Sequence, residues 1–198
     1  MFEIYDNVLS DNLFKSFVDT VTEDKKFHWF FSNDSTIDNL PEDKNIVPTK
    51  QLIRSLLFYP ENWVDESMRE YTFKIITEIV THLKYKQASV SRIKLNCLMN
   101  DSNITQDKYN IPHVDTTNTS TDTKTAILYL NDSDGDTFLF NERYDGAEPD
   151  SFTVHTRVTP KANKLLVFDN NVYHASQNPI KNKQRFVMNI NLNSIEVK

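Results

Sequence analysis

Apolar positions recur with two different periods along this chain. In the first half the period is helical. Leu13, Phe14, Phe17, Val18 and Val21 return every three or four residues, which predicts an amphipathic helix with Ser10 at its cap. After Pro60 a stronger stripe follows, in which Met68, Tyr71, Ile75, Ile79 and Leu83 share one face and Phe73, Ile76 and Val80 widen it. Residues 51–58 are a short helix candidate. Residues 31–48 are polar and irregular and read as a surface loop.

From residue 91 the period drops to two. SRIKLNCLM, TKTAILYLN, DTFLFN, DSFTVHTRV, KLLVF and QRFVMNINL read as strands, with Asp134-Gly135 as a hairpin signal between two of them. In the last run Phe186, Met188, Ile190 and Leu192 oppose Arg185, Val187, Asn189 and Asn191. In the first, Ile93, Leu95 and Cys97 oppose Arg92, Lys94 and Asn96, with Leu98 breaking the polar row. For a lone strand this means a core face and a solvent face. For a barrel with a polar ligand inside, the apolar face turns outward against helices. The expected class is mainly β (α+β), an antiparallel sandwich or barrel. It would form one domain over 1–198, with residues 1–90 as helical support and 91–198 as the β core.

Composition narrows the function. At 198 residues and 38% hydrophobic content the chain can bury a core. No apolar run has the length of a membrane span, and the N-terminus lacks a signal pattern. One cysteine, Cys97, excludes an internal disulfide and suits a reducing, cytoplasmic setting. Cys97 itself lies on an apolar strand face and reads as core. A net charge of −6 with no dense basic cluster argues against a nucleic-acid partner. Richness in Asn, Asp, Lys and Ile is compatible with an AT-rich genome such as a phage's.

Five histidines are present, and one stands in HVDTT, with Asp115 two places after His113. Residues two apart on a strand point the same way, so both can ligate one ion. In a chain this rich in Asp such a pair also arises by chance. His174, just after the apolar run LLVF, is the candidate third ligand. Two His and one carboxylate on one face of an octahedral ion match non-haem Fe(II) sites; zinc is not excluded by ligand type. Eleven residues on, Arg185 occupies the polar row, where a buried guanidinium needs an anion such as a dicarboxylate. Tyr129 can donate its phenol to the same group. Asn96 and Asn189 either line that pocket or face water. His155 reads as a surface residue, His82 and His28 as structural.

HVD, AILYLN, DGDTFLF and VTPKANKLLVFDNNVYHASQNPIKNKQRFVM together resemble the 2-oxoglutarate and Fe(II)-dependent oxygenase superfamily. The similarity covers about residues 92–192 and leans to the prolyl-4-hydroxylase-like branch, which includes phage-borne relatives. It implies a double-stranded β-helix, a relative of the jelly roll. It implies Fe(II) on His113, Asp115 and His174, and 2-oxoglutarate anchored by Arg185 and Tyr129. With O2 such an enzyme hydroxylates an unactivated C–H bond. The branch suggests peptidyl proline; a free amino acid or small metabolite is the competing substrate. A non-catalytic jelly-roll module with a vestigial site and a cupin-like enzyme are the other readings. The chain departs from the family at Asp134-Gly135-Asp136-Thr137, where Gly-Gly is usual, and at Asn163, which replaces a turn glycine. No arginine follows Arg185, unlike in nucleic-acid demethylases. Asp115 is intact, unlike in halogenating members. Residues 101–110 and 116–123 are candidate lid loops.

Overall fold

The longer helical stripe forms α2 (Arg69–His82), which buries Ile75 and Ile79 completely. The shorter forms α1 (Asp11–Glu23), burying Phe17 and Val21. Ser10 stands at the N-cap of α1 but makes no cap bond with its side chain. Instead its hydroxyl and backbone N–H both donate to the Glu78 carboxylate of α2, at 2.8 and 2.7 Å, which ties the two helices together.

The computed structural model describes residues 2–34, 43–59, 63–117, 120 and 122–197. In chain order its strands are β1 (Phe2–Asp6), β2 (Phe30–Asp34), β3 (Ile46–Val47), β4 (Thr49–Phe58), β5 (Trp63–Val64), β6 (Tyr85–Met99) and β7 (Tyr109–Asn110). The remainder are β8 (Lys124–Tyr129), β9 (Thr137–Arg143), β10 (Val154–Val158), β11 (Lys164–Asp169), β12 (Val172–Ser176) and β13 (Gln184–Val197). The larger sheet runs β1-β11-β8-β13-β6-β4-β2, with β5 added on β4, and its pairs are antiparallel. The smaller sheet is β10-β9-β12, and β3 and β7 form a parallel pair.

The period-two reading of β13 and β6 holds. Met188, Ile190 and Leu192 join Ile93, Leu95 and Cys97 in one apolar cluster with Phe17, Val21, Ile75 and Ile79 of the helices. The helices therefore cover the outer face of the larger sheet. On its inner face, Ile127, Tyr129, Leu166, Phe168 and Val187 pack against Leu139, Val158 and Val172 from the smaller sheet. The odd residues of β13 point between the sheets. Cys97 is core, and burial pushes its thiol up to about 12. Among the described residues no helix is long and apolar enough to cross a membrane.

Several expectations are corrected. Residues 51–58 belong to β4, not to a helix. A bulge between Ser55 and Leu57 breaks the strand's period of two, so Leu52, Ile53, Leu56 and Leu57 mimic a helical stripe. The expected loop at 31–48 holds β2 and β3 at its two ends, while 35–42 lie outside the described residues. The first half thus supplies strands as well as helices. Asp134-Gly135 is not a hairpin, because β8 and β9 belong to different sheets. Asp134 instead accepts the backbone N–H groups of Ile180, Lys181 and Asn182 at 3.1, 2.7 and 3.1 Å. A Cβ on Gly135 would stand 2.4 Å from the Gln177 carbonyl oxygen, so this position needs a glycine for close approach. Asn163 takes φ 60° at its turn, as its replacement of a glycine requires.

Candidate active site

His174 lies on β12 and His113 just after β7. The two exchange backbone hydrogen bonds in an isolated antiparallel bridge, N–H to O at 3.0 Å in both directions. HVD is therefore not part of a strand, contrary to expectation; this single bridge positions it. Asp115 then turns inward, its side chain 2% exposed. Its carboxylate oxygens stand 4.0 Å from His113 Nε2 and 3.8 Å from His174 Nε2. All three ligand atoms lie within 4.8 Å of one another.

The tautomers follow from the neighbours. His113 Nδ1 faces the Ile111 carbonyl at 3.0 Å and His174 Nδ1 faces the Val172 carbonyl at 3.3 Å. A carbonyl only accepts, so each Nδ1 carries a proton, and in the neutral ring Nε2 is the nitrogen that presents a lone pair to the shared centre. Burial, aided by His113 and opposed by Asp115, pushes His174 down to about 4, so it is neutral at physiological pH. Burial alone would raise the Asp115 carboxyl, but His174, Arg92, His113 and Lys94 outweigh it and hold it well below the usual carboxylate range. Two imidazoles and one carboxylate fit a first-row divalent ion and leave coordination positions open.

The triad opens on a cavity of about 350 Å³ between the sheets. Arg185 also lines it and is 2% exposed. Its Nε donates to the Gly135 carbonyl at 2.9 Å and its Nη2 to Thr137 Oγ1 at 2.7 Å. Among the described residues no carboxylate forms an ion pair with it. Burial presses its pKa down, against Tyr129 and Asp136, yet a guanidinium stays charged. A buried, unpaired cation facing a cavity is what a carboxylate ligand satisfies.

Tyr129 is fully buried, and its hydroxyl donates to Thr137 Oγ1 at 2.7 Å rather than opening on the cavity. Thr137, which does line the cavity, thus accepts from both Tyr129 and Arg185, so its own proton is left to point elsewhere. Burial pushes Tyr129 up to about 12, despite Arg185 and Thr137, which keeps it a neutral donor. Asn96 and Asn189 both line the cavity. Asn96 Nδ2 donates to Gln51 at 2.6 Å, Asn189 Nδ2 donates to Asp115 at 3.1 Å, and the Oδ1 atoms of both are buried without a partner among the described residues.

Asp115 gathers more donors than sequence reasoning named. Asn191 Nδ2 at 3.2 Å, Arg92 Nη1 at 3.2 Å and Thr125 Oγ1 at 3.4 Å join Asn189. The alternation placed Arg92, Lys94 and Asn191 on the cavity face, so the signal was present without a role attached. His155 is exposed beside Asn141, away from the triad. His82 packs edge-on to Tyr5, as a structural residue does. Residues 101–110 are not a free lid, since Gln177 Nε2 donates to the carbonyls of Thr105, Gln106 and Lys108 at 3.1, 3.2 and 2.7 Å.

Residues 99–193 match the model of the 2OG-Fe(II) oxygenase superfamily, a span that contains His113, Asp115, His174 and Arg185 in order. This span, which carries the whole triad, belongs to the superfamily. The chain is a 2-oxoglutarate and Fe(II)-dependent dioxygenase with an intact His-Asp-His triad. Solved structures agree in fold. A Burkholderia pseudomallei oxidoreductase of the 2OG-Fe(II) oxygenase family matches with TM-score 0.64 and 10% identity, over 97% of this chain and 85% of that one. A Pseudomonas putida prolyl-4-hydroxylase matches with TM-score 0.53 and 15% identity, over 100% and 92%. The epimerase SnoN, in complex with Fe3+, alpha ketoglutarate and nogalamycin RO, matches with TM-score 0.62 and 11% identity, over 97% and 78%. A search of curated protein sequences finds no match. The fold of this dioxygenase is accordingly the mainly β double-stranded β-helix, with two α-helices among the described residues. These matches lend no support to the phage origin expected from composition.

Proposed function

We propose that this dioxygenase is a hydroxylase, inserting oxygen into an unactivated C–H bond of a substrate placed beside the triad. The observation that carries the reading is Arg185, a buried cation without an ion-pair partner that lines the same cavity as His113, Asp115 and His174. Fe(II) and 2-oxoglutarate, when bound, supply the oxidising power, with succinate and CO2 as coproducts. The chain's own residues orient and shield. His113, Asp115 and His174 would hold the ion, with both lone pairs already aimed. Arg185 would take the far carboxylate of 2-oxoglutarate as a charge-assisted pair. Thr137, its hydroxyl proton freed by Tyr129 and Arg185, would donate to the same carboxylate. Tyr129 then acts through Thr137 and Arg185. Asn96 and Asn189, with unpaired Oδ1 atoms in the wall, would meet donors on the bound molecules.

Two substrate readings remain. Peptidyl proline is supported by the branch resemblance and by the Pseudomonas putida neighbour. A small metabolite is supported by the SnoN neighbour, which is held with nogalamycin RO. Anaerobic addition of Fe(II) and 2-oxoglutarate should produce the weak visible charge-transfer band of the chelate. Arg185→Ala should weaken 2-oxoglutarate binding on the order of 100-fold, given the strength of a buried charge-assisted pair. An absent band, or an unchanged affinity in the variant, would refute the cosubstrate site.

A further inference from the structure

The triad cavity shares the space between the sheets with a second pocket, of about 160 Å³. The two have no lining residue in common among the described ones. Leu139, Phe168 and Val172 form the inner end of the second pocket, and all three are buried in the apolar cluster between the sheets. One layer of side chains separates it from the triad. The Phe168 ring stands edge-on to the His174 imidazole, with centroids 4.9 Å apart. Leu139 stands across the β9–β12 ladder from His174. Phe168 and Leu139 line the second pocket and His174 lines the first, so a metal ligand is the front face of the partition.

The two spaces differ in chemistry. Arg92, Asp115, Arg185 and Asn189 make the front cavity a place for ions and water. The inner end of the back pocket has no polar side chain. Its polar residues stand at the mouth and are engaged there. His155 Nδ1 meets Asn141 Oδ1 at 2.9 Å, and Arg143 Nη1 donates to Asp169 and Asn171 at 3.0 and 3.2 Å. A hydrated or charged solute moving inward loses its water and gains nothing in return. A small apolar molecule pays no such penalty, and apolar cavities of this kind take up xenon and similar guests.

A dioxygenase takes one reactant that fits this description. We propose that the second pocket is a binding site for O2, from which the gas reaches the metal through the Phe168–Leu139 partition. 2-Oxoglutarate and the organic substrate fill the front cavity and close it, whereas the back of His174 stays open to a diatomic gas. Side-chain rotation of Leu139 and Phe168 opens the partition, with no movement of the strands that carry them. The inference uses the dioxygenase activity alone and is independent of which C–H bond is attacked.

The test uses two gases. Crystals of the metal-free protein pressurised with xenon should hold xenon against Leu139, Phe168 and Val172. Nitric oxide, a diatomic that binds Fe(II), then reports the path when mixed in a stopped-flow cell with the anaerobic Fe(II) and 2-oxoglutarate complex. Val172→Phe fills the inner end, and His155→Trp covers the mouth from an exposed position away from the triad. Each should slow nitric oxide association about tenfold, the effect of an ordinary overpacking cost on a barrier. Leu139→Ala thins the partition and should quicken it. The anaerobic charge-transfer band is recorded first for each variant, because Val172 and Leu139 neighbour His174. Where Val172→Phe alters that band, His155→Trp decides. Xenon in the pocket together with slowed association in a variant of unaltered band supports the proposal. It is overturned if xenon does not enter, or if the variants of unaltered band bind nitric oxide at the wild-type rate.

Discussion

In the proposed cosubstrate site Thr137 joins Tyr129 to Arg185. Its hydroxyl accepts from Tyr129 and from Arg185, both at 2.7 Å, and sequence reasoning gave it no role. Thr137→Val keeps the shape of the side chain and removes the hydroxyl. The variant should fold, leave Tyr129 and Arg185 each short of an acceptor, and weaken 2-oxoglutarate binding about tenfold. Tyr129→Phe should have a smaller effect, because its hydroxyl lies off the cavity and acts through Thr137 and Arg185. Quenching of the charge-transfer band as 2-oxoglutarate is diluted out would measure both. Equal losses in the two variants would mean that Tyr129 touches the cosubstrate itself.

At the scale of elements, loops are held by single side chains. Gln177 binds three carbonyls of the 101–110 segment, and the Gly135 backbone lies against the Gln177 carbonyl. Gly135→Ala forces a Cβ onto backbone and should cost about 1–3 kcal/mol, read as a lowered urea midpoint. Gln177→Ala should speed amide exchange at 101–110 while the strands stay protected. Unaltered exchange there would show that other contacts suffice. These ties explain what the sequence could and could not disclose. The helices and the strands from β6 onward were legible because burial on one face writes a period into the residues. β4 was not, because its bulge shifts that period. Asp134-Gly135 carried a hairpin's composition, but its carboxylate is used by the distant amides of 180–182. His113, Asp115, His174 and Arg185 were legible from spacing and resemblance. Arg92, Asn191 and Thr125 were not, because what makes them matter is convergence on Asp115 across three strands.

For the whole molecule, the buried triad links stability to pH. A histidine in the unfolded chain titrates near about 6.5, whereas folded His174 titrates at about 4. Between those values the unfolded state binds a proton that the folded state refuses, so stability rises with pH. Chelator-treated protein should be most stable above pH 6.5 and lose stability steadily towards pH 4. Asp115, held below the usual carboxylate range, adds a further loss at lower pH. Thermal melts across pH 4–8 would measure this, and His174→Gln should flatten the upper part of the slope. An equal slope in wild type and variant would assign the effect elsewhere. A divalent ion binds the folded triad alone, so it should raise the melting temperature and oppose acid unfolding.

The register of the smaller sheet carries one more consequence. β9 and β12 pair so that Thr137 stands opposite Ser176, and His174 stands opposite Leu139. The residue proposed for the far carboxylate and one proposed for the metal are thus two positions apart along neighbouring strands, roughly 7 Å. That interval is set by backbone pairing and cannot stretch to suit a guest. The sheet acts as a gauge of molecular length, matched to a five-carbon oxo-diacid. A four-carbon homologue reaches one end only, and a six-carbon one must buckle.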